Sequence, residues 1–79
     1  MPKLLRRQPT KMMIEFLMEI HERELMNLPP FSATHRSVPG LYMRNLIRVD
    51  LAKDEQGKRN LCIFITKKGK SYLESLLSV

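Results

Sequence analysis

From residue 46 to residue 66 the sequence changes its hydrophobic period, and that change limits the folds open to the whole chain. Val49 and Leu51 alternate with Arg48 and Asp50, and Leu61, Ile63 and Ile65 repeat at the same spacing of two. Alternation by two marks a strand with one buried and one exposed face. Between the runs, KDEQGK at 53–58 is polar and holds Gly57, so it reads as a hairpin loop. A lone two-stranded ribbon is marginal in water. Its apolar face must therefore lie on the helical segments that fill the rest of these 79 residues.

Residues 1–9 carry Lys3, Arg6 and Arg7 between prolines at 2 and 9, and read as a flexible basic arm. Thr10 is a cap for a helix expected over Lys11–Leu25, with Met13, Phe16, Leu17 and Ile20 as its core stripe. Met12, Ile14 and Met18 widen that stripe beyond what a small core needs. Together with Leu76 and Leu77 near the C-terminus, they are the expected homodimer surface. NLPPF at 27–31 stops the helix. Ser32 or Thr34 is positioned to cap a short helix. A second helix is expected from near Ser37 to about Asn45, with Pro39 in its first turn; a bent helix starting at Thr34 is the alternative. The last helix is expected over Lys67–Leu77, with Tyr72, Leu73, Leu76 and Leu77 toward the interior.

Fourteen Lys and Arg face eight Asp and Glu, for a net charge of +6 and a sequence pI near 9.9. On so short a chain this favours a polyanionic partner, most often nucleic acid. The single cysteine, Cys62, excludes an internal disulfide framework, and inside LCIFI it reads as a small buried hydrophobe. No Cys or His pair stands at ligand spacing, so neither metal nor cofactor is expected. No carboxylate pair is matched to a nucleophile and no glycine-rich phosphate loop is present, so an enzyme is not expected. The apolar runs are too short to span a bilayer, and the N-terminus lacks the pattern of a signal peptide. A cytoplasmic protein is expected.

Three stretches, SVPGLYMRNLIRVD, DEQGKRNLCIFI and ITKKGKSYLESL, resemble the winged helix-turn-helix family, especially its small bacterial and phage regulators. The resemblance spans about residues 10–77. It implies an α+β fold, with a three-helix core, a two-stranded β-hairpin wing and a C-terminal helix, in a single winged-helix domain over residues 10–79. Asn45 stands where the family usually has glycine, and both residues tolerate the left-handed conformation that ends a helix. Gly69 falls in the first turn of the last helix, where a helical glycine costs up to about 1 kcal/mol relative to alanine. A chain accepts that cost where another backbone or a bulky core residue must come close. Pro39-Gly40 departs from the usual recognition helix.

The family resemblance also implies a function: a sequence-specific regulator of transcription that binds double-stranded DNA as a homodimer on two half-sites. Thr34, His35, Arg36 and Ser37 would meet base edges and phosphates at the start of the recognition helix. Tyr42 and Arg44 would follow along it. Lys53, Lys58 and Arg59 would neutralise phosphates at the wing, and Arg6 and Arg7 would follow a groove. Asp54 and Glu55, at the wing tip, would face phosphates unfavourably. They lend weight to a protein-interaction module that binds a host protein, the main alternative; a DNA-architectural or recombination accessory factor is the other.

Overall fold

The computed structural model describes residues 8–77. Helix α1 (Lys11–Leu25) begins at Thr10, whose hydroxyl accepts the Met13 N–H at 3.2 Å. It ends in the left-handed conformation at Asn27 (φ 57°), where the Leu28 N–H reaches back to the Arg23 carbonyl at 2.9 Å. Arg23 also holds the chain beyond: its Nε donates to the Pro29 carbonyl at 2.7 Å, and its guanidinium lies 4.4 Å from the centre of the Phe31 ring.

The hairpin consists of β1 (Ile47–Lys53) and β2 (Arg59–Ile65), paired antiparallel with Val49 opposite Ile63 and Lys53 opposite Arg59. Residues 31–33 run along the far side of β2. The Ile63 N–H donates to the Phe31 carbonyl at 3.0 Å, the Ala33 N–H donates to the Leu61 carbonyl at 2.8 Å, and Ser32 bridges Cys62. This pairing explains a departure from expectation. Residues 32–37 form turns and no helix, because the backbone before His35 is committed to the sheet. His35 then closes the following turn, accepting the Ser37 N–H on Nδ1 at 3.0 Å.

Helix α2 (Val38–Met43) starts where expected, with Pro39 in its first turn, but it is only six residues long. Asn45 adopts φ 60°, the left-handed stop where it was expected, and the Leu46 N–H bonds the Leu41 carbonyl at 3.1 Å; the regular helix ends two residues before it, at Met43. Helix α3 (Lys67–Leu77) is tied to that stop. The Thr66 hydroxyl accepts the Gly69 N–H at 3.0 Å and donates to the Asn45 carbonyl at 2.7 Å. A Cβ on Gly69 would overlap the Leu46 carbonyl oxygen and stand 2.7 Å from the Ile65 side chain, so the close approach expected from the sequence is present.

The core joins all five elements: Phe16, Leu17 and Ile20 from α1, Val38 and Leu41 from α2, Leu46 and Ile47, Ile63 and Ile65, and Leu73 from α3. Leu76 and Leu77 do not join it. Both are exposed, because α3 tilts only Leu73 and part of Tyr72 inward. The result is a small α+β arrangement of helices with one antiparallel hairpin. Among the described residues no helix is long and apolar enough to cross a membrane.

Candidate nucleic-acid interface

The hairpin loop owes its shape to Asp54. The Gly57 N–H bonds the Asp54 carbonyl at 2.9 Å, and Gly57 takes φ 79°, the left-handed position that follows a tight turn. The Asp54 side chain is turned inward and is only 5% exposed; its Oδ1 accepts the N–H groups of Gln56 (2.9 Å) and Lys58 (3.0 Å). This corrects the expectation that Asp54 faces a phosphate. Its charge is spent on the loop backbone, and Glu55 is the acidic side chain left at the tip.

The Lys58 backbone N–H, before all else, holds the Asp54 carboxyl below the ordinary aspartate range. The Gln56 N–H, the Asn60 side chain and the Lys58 charge help, against desolvation. A carboxyl depressed on folding stabilises the fold above its unfolded pKa, and that contribution disappears as pH falls through the folded value. Acidification below about pH 4 will therefore loosen the tip first. NMR titration of the Asp54 carboxyl should give a midpoint below that of an unstructured aspartate, and a midpoint at or above it would refute this account of the loop.

With Asp54 withdrawn, the tip is cationic. Lys53, Lys58 and Arg59 are all exposed, and no ion pair holds them among the described residues. Lys53 and Arg59 are direct cross-strand partners, an arrangement of like charges that weakens a ribbon in isolation. The turn before α2 lies next to this tip: Ser32, Thr34 and His35 line one hollow of about 200 Å³ together with Glu55, Phe16 and Phe31.

Within that turn the expected contacts divide. Thr34 and Arg36 are exposed, though the Thr34 hydroxyl already hydrogen-bonds Ser32 at 3.1 Å. Ser37 is only 3% exposed, so its side chain faces the interior and no phosphate. His35 stacks on Phe16 with centroids 3.8 Å apart, which makes it a packing residue. On α2, Tyr42 is exposed as expected, whereas Arg44 donates to the Gly40 carbonyl at 2.9 Å and has a further partner. Arg6 and Arg7 lie outside the described residues.

Sequence reasoning passed over three exposed cations, Lys67, Lys68 and Lys70, in the first turn of α3. Their signal was present. Lysines at a helix N-terminus oppose the helix dipole, and no acidic residue offsets them there. They stand at the base of the ribbon, roughly 20 Å from the Lys53–Arg59 pair at a strand rise of about 3.3 Å per residue.

The expected dimer residues do not form one patch. Met12 and Met18 are both exposed but lie about 120° apart around α1, and Ile14 is half-buried. Met18 and Leu77 instead border a groove of about 270 Å³ between α1 and α3, with His21, Glu22, Leu25, Leu73 and Glu74. No family model, curated protein or solved structure matches this chain.

Proposed function

We propose that this chain is a small regulator that binds double-stranded DNA in the winged-helix manner. The turn before α2 and the exposed side of α2 meet the groove, and the hairpin serves as a wing on the phosphate backbone. The observation that carries this reading is the Lys53–Arg59 cross-strand pair, extended by Lys58, none of the three held in an ion pair among the described residues. A ribbon that places like charges opposite each other gains stability from a polyanion and from little else. Arg36 and Tyr42 are the side chains free to address bases. Thr34, Lys67 and Lys68 suit the backbone.

Duplex binding measured over a range of salt concentrations tests this. Each neutralised phosphate adds about 0.9 to the slope of log affinity against log salt. Replacing Lys53, Lys58 and Arg59 together by alanine should lower that slope by about 2 to 3 and weaken binding to all sequences alike. Salt-independent or undetectable binding by the unaltered chain rejects the reading. The groove between α1 and α3 favours a second one, a module that docks an apolar segment of a host protein, with DNA playing no part.

A further inference from the structure

The core stops one row short of the hairpin loop's cations. On the face of the ribbon that packs against the helices, the Ile47–Ile65 row is buried, and in the next row Ile63 is buried and Val49 half-buried. Then comes Leu51 opposite Leu61, and both are more than half exposed, at 56% and 52%. Beyond them, on the same face, stands the exposed Lys53–Arg59 pair. The Leu61 carbonyl accepts the Ala33 N–H at 2.8 Å, so the Leu61 backbone turns away from β1. Leu51 and Leu61 therefore form a pair without hydrogen bonds to each other, the kind whose Cα atoms stand about 4.5 Å apart and whose side chains touch. Two large apolar side chains overhang the domain together, with two cations about 7 Å further out.

An occupant of this face must suit both rows. A second copy docked leucine to leucine would bring Lys53, Lys58 and Arg59 of both copies together, and their like charge opposes it. A lipid surface suits apolar side chains at the very end of a hairpin. Here the end is the polar 54–58 loop with Glu55, which would have to enter the hydrocarbon first. The minor groove of DNA suits both rows: phosphates bound it on either side, and its base steps admit apolar wedges.

We infer that this face of the hairpin lies on the minor groove, with Leu51 and Leu61 wedged at one base step and Lys53 and Arg59 on the flanking phosphates. The wedge unstacks the step and kinks the duplex toward the major groove. It rests on the DNA-binding reading and adds to it. The chain deforms its DNA, and it selects the pyrimidine–purine steps TA and CA/TG, which unstack most easily. Such selection needs no hydrogen bond from the hairpin to any base.

The test is the shape of the bound duplex. A duplex of about 30 base pairs with a central TA step carries a fluorescent donor at one end and an acceptor at the other. The full, unaltered chain should bring the ends together by a bend of about 20 to 90°. It should also bind less tightly when a stiff A-tract replaces the TA step. L51T/L61T keeps β-branched, strand-compatible side chains and removes the wedge. Its bound duplex should be straight and its preference for TA gone, while the salt slope, set by the unaltered cations, persists. L51I/L61I keeps an apolar wedge and should bend DNA as the unaltered chain does, which separates loss of the wedge from a disturbed ribbon. L51T alone gives the same readout through a smaller change.

An unaltered chain that binds the duplex and leaves it straight overturns the wedge and leaves the DNA-binding reading standing. So does an L51T/L61T variant that bends the duplex as fully as the unaltered chain. No binding to any duplex rejects both. Vesicles containing phosphatidylserine are the second surface: binding to them that is lost in L51T/L61T, with the duplex left straight, would assign the leucine pair to lipid and overturn the inference.

Discussion

Leu17→Ala should lower the unfolding free energy by about 2 to 5 kcal/mol, the range for emptying a fully buried leucine site. Leu17 is fully buried in the cluster where α1 meets the sheet and α3. A domain of this size holds on the order of 4 to 12 kcal/mol in total, so the variant forfeits much of it. Denaturant titration reads the loss directly: the midpoint should fall with the slope unchanged. A loss below about 1 kcal/mol would mean that the site collapses on itself, and that the helices are not packed around this side chain as described.

Gly69→Ala should also destabilise, by about 1 to 3 kcal/mol, although alanine is the better helix former by about 1 kcal/mol. The added methyl group meets the Leu46 carbonyl, a backbone atom held by the Thr66 N–H at 3.1 Å, and so has no flexible neighbour to displace. For a domain this small the melting temperature should drop by roughly 4 to 20 °C. Gly40 gives the contrasting control, since the atoms a methyl group would meet there are the far end of the Met13 side chain, which can swing away. If Gly69→Ala raised the melting temperature, helix propensity would have won and the close packing of α3 on the end of α2 would be wrong.

Much of this architecture was legible residue by residue. Thr10, the prolines at 29 and 30, and the alternation in both strands announced α1 and the hairpin, because each signal acts within a few residues of itself. Asn45 and Gly69 were legible for the same reason: a backbone conformation or a missing Cβ narrows the choice to a few residue types. What escaped the sequence depends on distant partners. Residues 32–37 look able to start a helix, but β2 claims their backbone. Ser37 and His35 look like surface polar groups, yet Phe16, contributed by α1, draws the imidazole inward. Asp54 carries the composition of an exposed tip and is turned in by a loop that closes only once the strands have paired. Leu76 and Leu77 continue the helical period of Leu73 and remain outside, because the core ends one turn earlier.

Cys62 gives the molecule a built-in reporter. Its thiol is completely buried between Ala52 and the 31–33 segment, and burial above all, with the nearby charges of Asp54 and Glu55, pushes its pKa up. The reactive thiolate is scarce while the sheet stays shut. A thiol reagent added to the folded chain therefore has one target, and reaches it only when the seam of the sheet around Cys62 opens. Labelling rates then count the openings of that seam, with no engineered probe.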